Sequence, residues 1–233
     1  MRAPGIGERV GSPRAERRAP AANQSRAGNA VLAMNLLRED LLQGKAVAIA
    51  GPVRAAVCDQ LSGLGARLEQ IEDGLDDEHA VRWSRSRADL AGLVVDTAAA
   101  FGNGGADRLE FMLRSAWTAV RAVATGALIT TAGECAQIAT AGEGARIATA
   151  GEGARIVLIA PSETAGPHAG AARAALENLA RSLATEWARY GITVTAIAPG
   201  TATSDADVAT LVAYLLSHAG GYLTGCRFDL GIV

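Results

Sequence analysis

The 233-residue chain has little of several residue types, and each scarcity excludes a class of protein. Lysine occurs once, at Lys45, among 22 basic residues, so a mechanism that needs a lysine later in the chain is excluded. Aromatic residues make up only 4% of the chain, which predicts a core of Ala, Val, Leu and Ile. Apolar runs such as 156–160 are far shorter than the ~18 residues of a membrane span. We therefore expect no membrane insertion.

Charge and cysteine usage narrow the class further. The formal net charge is -2, which argues against nucleic-acid binding by the domain as a whole. Cys58, Cys135 and Cys226 are widely spaced, so we expect no metal site and no disulfide framework. This cysteine usage, together with the lack of an early apolar signal segment, predicts a cytoplasmic location.

Residues 1–33 differ in composition from the rest of the chain. They are rich in Arg, Pro, Gly, Ala and Ser and show no apolar period, which predicts a disordered tail. Two further interpretations stay open: a transit peptide or nucleic-acid-binding arm, and a reading frame that truly begins at Met34 instead of Met1. The folded domain is predicted over 34–233.

From Lys45 onward, short apolar runs alternate with segments of helical period. Strands are predicted over 46–50, 66–71, 93–95, 156–160 and 192–198, and helices over 54–65, 107–125, 171–190 and from Ser204 onward. Ser204 and Asp207 have the spacing of a capping box at the start of the last helix. Strands separated by such helices predict a single-domain α/β fold, a Rossmann-like, doubly wound parallel sheet.

A nonapeptide repeat interrupts this pattern. Three copies beginning Thr-Ala-Gly-Glu start at positions 131, 140 and 149. A calcium-binding β-roll has the same period, but it needs aspartate at a fixed place and many copies. We interpret the repeat as a tandem duplication that forms a Gly-rich surface insertion over 131–155, with the last copy leading into a strand.

Three segments together have the pattern of a known enzyme family. They are Gly-Lys-Ala-Val-Ala-Ile-Ala-Gly over 44–51, Arg-Ile-Val-Leu-Ile-Ala-Pro over 155–161, and 171–200, which ends in Thr-Val-Thr-Ala-Ile-Ala-Pro-Gly. The chain thus resembles the short-chain dehydrogenase/reductases, in particular those that reduce 3-oxoacyl groups on a carrier protein. The resemblance runs from about residue 41 to the end. It implies a doubly wound sheet that binds NAD(P) and transfers hydride, here shortened between residues 68 and 93 by about one strand-helix unit.

The resemblance also assigns positions to the cofactor and to the reacting groups. The positions that correspond to cofactor contacts are Gly51, Ala98, Pro199 and Gly200. The positions nearest to the catalytic groups are Ser162, one residue after the place of the orienting serine, and Arg173, at the place of the lysine.

Several positions lack the side chain that the chemistry needs. The phosphate loop is reduced to Gly-Pro-Val-Arg over 51–54, and we expect Arg54 to be a solvated helix-start residue. Ala169 stands at the tyrosine position, Pro161 at the serine position, and Met112 near the asparagine position. His168, in the loop, is an alternative proton donor.

We therefore expect a non-catalytic family member, a pseudoenzyme, with NAD(P) or no cofactor. It would work as a homo- or hetero-oligomeric or partner-binding subunit through helices 107–125 and 171–190. The alternative is an NAD(P)-dependent carbonyl or 3-oxoacyl reductase that binds its cofactor atypically and uses Ser162, His168 or Arg173. A third hypothesis is a decayed coding sequence without a selected role.

Overall fold

The structure is a computed structural model that describes residues 37–72, 76–87, 89–129 and 153–231. The predicted tail over 1–33 lies outside these ranges, and so does the predicted insertion over 131–155, apart from its last three residues.

The described part of the chain has six strands and six α-helices, two of which, α3 and α4, lie between β3 and β4. The strands are β1 Ala46–Ala50, β2 Arg67–Ile71, β3 Leu90–Asp96, β4 Arg155–Ile159, β5 Thr193–Pro199 and β6 Arg227–Leu230. The helices are α1 Ala55–Gly63, α2 Asp77–Arg85, α3 Ala98–Phe101, α4 Ala106–Val123, α5 Ala169–Trp187 and α6 Asp205–Leu216. A π-helical turn, Ala124–Leu128, extends α4, and 3-10 turns follow α5 and α6 at Ala188–Tyr190 and His218–Tyr222. In the described ranges no helix is long and apolar enough to cross a membrane.

All paired strands are parallel, in the order β2-β1-β3-β4-β5-β6. This arrangement confirms the predicted Rossmann-like, doubly wound sheet. Since β2 lies on one side of β1 and β3 on the other, the strand order reverses there and leaves a crevice at the carboxyl ends of β1 and β3. The described residues between β2 and β3 contain only α2, which confirms the predicted shortening and leaves β2 as the outer strand.

Two apolar clusters, one on each face of the sheet, hold the helices in place. Because successive side chains of a strand point to opposite faces, Ile156 and Leu158 of β4 join the cluster with α4 and α5. Val157 and Ile159 join the other cluster, with α1 and α6. Both faces of the central strands are therefore buried, as their continuous apolar runs predict.

Helix α2 lies in the charged segment 72–89, where the sequence analysis predicted no element. Its inward side is short: Ala80 and Ser84 are buried, and Trp83 packs partly buried against the core. The helix is also stabilised at its start, where the Asp76 side chain accepts the His79 N–H at 2.9 Å. The predicted capping box of α6 is confirmed by reciprocal bonds between Ser204 and Asp207.

Candidate functional site

The loop after β1 is a tight turn pressed against the end of β3. Gly51 has a φ of 80°, and the Val53 N–H donates to its carbonyl oxygen at 2.9 Å. A methyl group on Gly51 would lie 3.2 Å from the Asp96 carbonyl oxygen. Pro52 has no N–H, and that of Val53 is already bonded, so the loop does not present the row of free donors that cradles phosphates.

Arg54, at the end of this loop, forms an ion cluster with two carboxylates. Its Nη1 lies 3.3 Å from Oδ2 of Asp96, the last residue of β3, and its Nε lies 3.1 Å from Oδ1 of Asp205, the first residue of α6. The Arg54 side chain is 17% exposed and that of Asp96 is 1% exposed. The expectation of a solvated Arg54 is therefore wrong, because a buried carboxylate at the end of β3 needs a compensating cation.

The electrostatics of this cluster disfavour anions. Burial raises the pKa of the Asp96 carboxyl, while Arg54 and hydrogen bonds, among them that from the Ala98 N–H at 3.1 Å, partly oppose the rise. Two carboxylates face one guanidinium, so a diphosphate in the crevice would meet a net negative charge. The residues present thus do not fit the diphosphate of the nicotinamide dinucleotide that the family resemblance implies.

Arg173 joins the carboxyl ends of three strands. Its Nη1 donates to the carbonyl oxygens of Pro161 at 3.2 Å and Pro199 at 2.6 Å. Its Nη2 lies 3.4 Å from both the Ala198 carbonyl oxygen and the Asp229 carboxylate. The planar guanidinium is thereby fixed to main-chain oxygens, which a lysine ammonium would not reproduce.

The other predicted proton-transfer positions lie in the loop after β4 and at the start of α5. Ala169, at the tyrosine position, is buried, and His168 is exposed just before α5. The Ser162 Oγ lies 3.3 Å from the Thr164 hydroxyl. A methyl group on Gly166 would lie 2.3 Å from the Asn103 carbonyl oxygen, so the loops that follow α3 and β4 are in direct backbone contact.

The remaining cofactor positions are held by protein contacts. The Ala98 N–H donates to Asp96 at 3.1 Å, and the Gly200 N–H donates to the Leu230 carbonyl oxygen at 2.6 Å. A methyl group on Gly200 would lie 2.5 Å from that oxygen. Pro199 and Gly200 therefore form a turn packed against the end of β6, and their cofactor role stays a prediction.

A cavity of about 420 Å³ lies beside the Arg54 cluster. It opens between the carboxyl ends of β1, β2 and β3 and the helices α3 and α4, and its wall includes Ala50, Ile71, Val95, Ala100, Phe111 and Met112. Met112 is fully buried, as its apolar spacing predicts.

Sequence reasoning missed two cations at the end of α6, the buried Arg155 and the half-buried Lys45. Lys45 Nζ donates to the Leu216 carbonyl oxygen at 3.2 Å, and Arg155 Nε donates to that of Ser217 at 2.7 Å. Burial lowers the pKa of both side chains. The sequence signal that could have found them is a cation directly before or at the start of an apolar strand. Both residues stabilise the carboxyl end of α6, the negative end of its helix dipole.

Comparison with known proteins supports the fold. A family model described as "Enoyl-(Acyl carrier protein) reductase" matches residues 78–207, more than half of the chain.

Similar solved structures include a short-chain dehydrogenase/reductase from Serratia marcescens, 24% identical, with a TM-score of 0.60 over 82% of this chain and 97% of that one. The citronellol catabolism dehydrogenase (AtuB) of Pseudomonas aeruginosa is 18% identical, with a TM-score of 0.60 over 83% and 96%. BdcA (YjgI) from E. coli is 20% identical, with a TM-score of 0.56 over 82% and 100%. At these identities the structures show a shared fold alone.

Proposed function

The chain belongs to the short-chain dehydrogenase/reductase family, and we propose that it is a non-catalytic member that works as an oligomeric or partner-binding subunit. Members of this family generally bind NAD(P) and transfer hydride. The observation that carries the proposal is the Arg54 cluster, in which Asp96 and Asp205 neutralise the cation that follows the shortened phosphate loop.

The chemistry of the reacting positions supports the same proposal. Carbonyl reduction needs a group that gives a proton to the developing alkoxide. Arginine does not lose its proton in proteins, and the donors of Arg173 already bind main-chain oxygens. Ser162 contacts another hydroxyl in place of a base. His168 is exposed and lies outside this set of contacts.

Helices α4 and α5 supply the surface for assembly in this proposal. They contact each other on one face of the sheet. Phe111 and Trp117 of α4 are 50% and 42% exposed and leave apolar area on this helix for a partner. The exposed side of α5 carries small residues, including Gly170, Ala171 and Ala174, which would let a second helix approach closely.

Calorimetric titration of the purified chain with NADH and NADPH tests the missing cofactor. We expect no saturable heat at concentrations that saturate an active reductase of the same family, measured in parallel as the control. Saturable micromolar binding of either dinucleotide would overturn the non-catalytic assignment.

Light scattering coupled to size exclusion tests the assembly surface. We expect an oligomer that Ala174→Arg dissociates, because a charged side chain on the small-residue face of α5 blocks close packing. Ser62→Arg, which adds the same charge at an exposed position of α1, is the matched control and should leave the mass unchanged. A monomeric parent chain that also captures no reductase of the same family from its native cells would refute the role as a subunit.

The alternative, an NAD(P)-dependent carbonyl or 3-oxoacyl reductase with atypical cofactor binding, is favoured by one observation. The 420 Å³ cavity includes Gly51, Asp96 and Thr97 in its wall, so an adenine ring has space beside the crevice. This alternative predicts that dinucleotides bind and that the phosphates displace the Arg54 side chain from Asp96. The titration above distinguishes the two proposals directly.

A further inference from the structure

The cavity between the strand ends and α4 has an apolar wall. Of its lining, Ala50, Ile71, Val95 and Ala100 come from the sheet edge and α3, and Met112 comes from α4. Its volume of about 420 Å³ is within the roughly 300–1,000 Å³ of cavities that hold small ligands. Ligand sites of this kind are mostly apolar, with a few polar groups that fix orientation.

Several ionic side chains in the wall are already engaged by protein partners. Arg108 donates to the Ala99 carbonyl oxygen at 3.2 Å and lies 5.1 Å from the centre of the Phe111 ring. Arg114 pairs with Glu110 one turn away on α4. Asp96 is paired with Arg54 at 3.3 Å. Arg108 shares the wall with the Glu72 carboxylate, so the two arginines of the lining are matched by two carboxylates and the cavity offers no excess positive charge to an anion.

The hydroxyl groups in the wall differ in whether they already have a hydrogen-bond partner in the protein. The Thr97 hydroxyl donates to the Ile159 carbonyl oxygen at 2.7 Å, and that of Thr118 donates to Asp77 at 3.0 Å. Ser115 lines the cavity from the exposed side of α4, and its hydroxyl has no partner among the described residues. It is therefore the group placed to orient a ligand at the mouth.

We propose that this cavity binds an uncharged, largely apolar small molecule that makes a hydrogen bond to Ser115 and carries no phosphate. The proposal goes beyond the non-catalytic assignment and shares with it only the exclusion of diphosphates by the Arg54 cluster.

Two fluorescent probes with the same rings test the ligand class. N-phenyl-1-naphthylamine is uncharged, and 1-anilinonaphthalene-8-sulfonate adds one negative charge. We expect the uncharged probe to saturate at one molecule per chain and to bind at least tenfold more tightly than the sulfonate. Absence of saturation, or tighter binding of the sulfonate, would overturn the proposal.

A pair of matched variants locates the binding. Ser115→Phe places a ring in the mouth of the cavity at an exposed position, and Ser62→Phe makes the same change on α1, away from the cavity. We expect the dissociation constant of the uncharged probe to rise at least tenfold in the first variant and to stay unchanged in the second. If Ser115→Phe lowers the melting temperature, Ala99→Leu, also exposed and in the wall, replaces it. Unchanged binding in the folded cavity variant, or equal losses in both variants, contradicts the assignment.

Competition separates this inference from the proposed function. If neither the uncharged probe nor NADH binds, the cavity inference fails and the non-catalytic assignment stands. If NADH displaces the probe at one equivalent, both fail, because the cavity then holds part of a dinucleotide.

Discussion

Replacing Arg54 with methionine tests the ion cluster in the crevice. Arg54 Nη1 and Asp96 Oδ2 are 3.3 Å apart. At that distance the gross attraction is about 5 kcal/mol for an effective dielectric constant of about 20. Loss of the cation leaves a buried carboxylate, and breaking a buried pair in this way costs about 3–5 kcal/mol. We predict a loss of about 3 kcal/mol in the free energy of unfolding at pH 8, the lower end of that range, because the Ala98 N–H still donates to Asp96.

The loss has a defined pH dependence. Burial raises the pKa of Asp96, and Arg54 opposes the rise, so in Arg54→Met the pKa of Asp96 is higher still. The folded variant therefore takes up a proton at a pH where the unfolded chain, with a pKa of about 3.9, is still ionised. Protonation removes the buried charge. The deficit of the variant relative to the parent chain is thus largest above the folded pKa and shrinks as the pH falls toward the unfolded pKa.

Urea unfolding followed by tryptophan fluorescence at pH 5 and pH 8 measures the effect. The double variant Arg54→Met, Asp96→Asn leaves no buried charge in this cluster and should recover most of the loss. Arg82→Met removes an exposed pair with Glu78, whose side chains are 65% and 82% exposed, and should change stability little. The reasoning is refuted if the free energy of unfolding of Arg54→Met lies within about 1 kcal/mol of the parent value at both pH values. It is also refuted if the difference between the two free energies is larger at pH 5 than at pH 8.

Three further pairs of substitutions test other contacts by the same urea assay. Arg173→Ala should cost about 2–3 kcal/mol of stability because it removes charge-assisted hydrogen bonds to the carbonyl oxygens of Pro161 and Pro199. Arg173→Lys should lose less, because the ammonium keeps part of these bonds. Unchanged stability in Arg173→Ala contradicts the stabilising role of Arg173. Ser204→Ala, which removes the capping box of α6, should cost about 1 kcal/mol, while Thr210→Ala, within the same helix, serves as the neutral control. Arg155→Met removes the donor to the carbonyl oxygen of Ser217 at the end of α6 and should cost about 3 kcal/mol of stability. Lys45→Met, which removes the donor to Leu216, should cost less. A larger loss in Lys45→Met would show that Lys45 is the main cap of this helix end.

The order of elements followed from the sequence because the central strands are buried on both faces. Continuous apolar runs such as 46–50 and 156–160 mark such strands directly, and the helices between them fix parallel pairing. Strand β3 is longer than predicted, since Leu90 joins it beyond a glycine that breaks the apolar run. Helix α2 was missed because its contacts with the rest of the molecule are partly polar, including an ion pair between Asp77 and Arg121.

The site was only partly accessible to sequence reasoning. The resemblance assigned the position of Arg173, but its carbonyl partners come from β4 and β5, and no local pattern encodes that geometry. The cluster of Arg54, Asp96 and Asp205 joins residues from three distant segments. Each alone looks like a surface charge, and only the topology of the sheet brings them to one crevice.

The outer position of β2 has a consequence for solubility. A strand at the border of a sheet offers unpaired N–H and C=O groups to other chains, and proteins protect such borders with charged side chains. Arg67 of β2 pairs with Glu69 and Asp89, and Glu69 also pairs with Arg87 at 3.1 Å. These charged side chains would have to be desolvated before a neighbouring chain could add a strand to this edge. The ion pairs therefore protect the edge strand that the shortened sheet exposes.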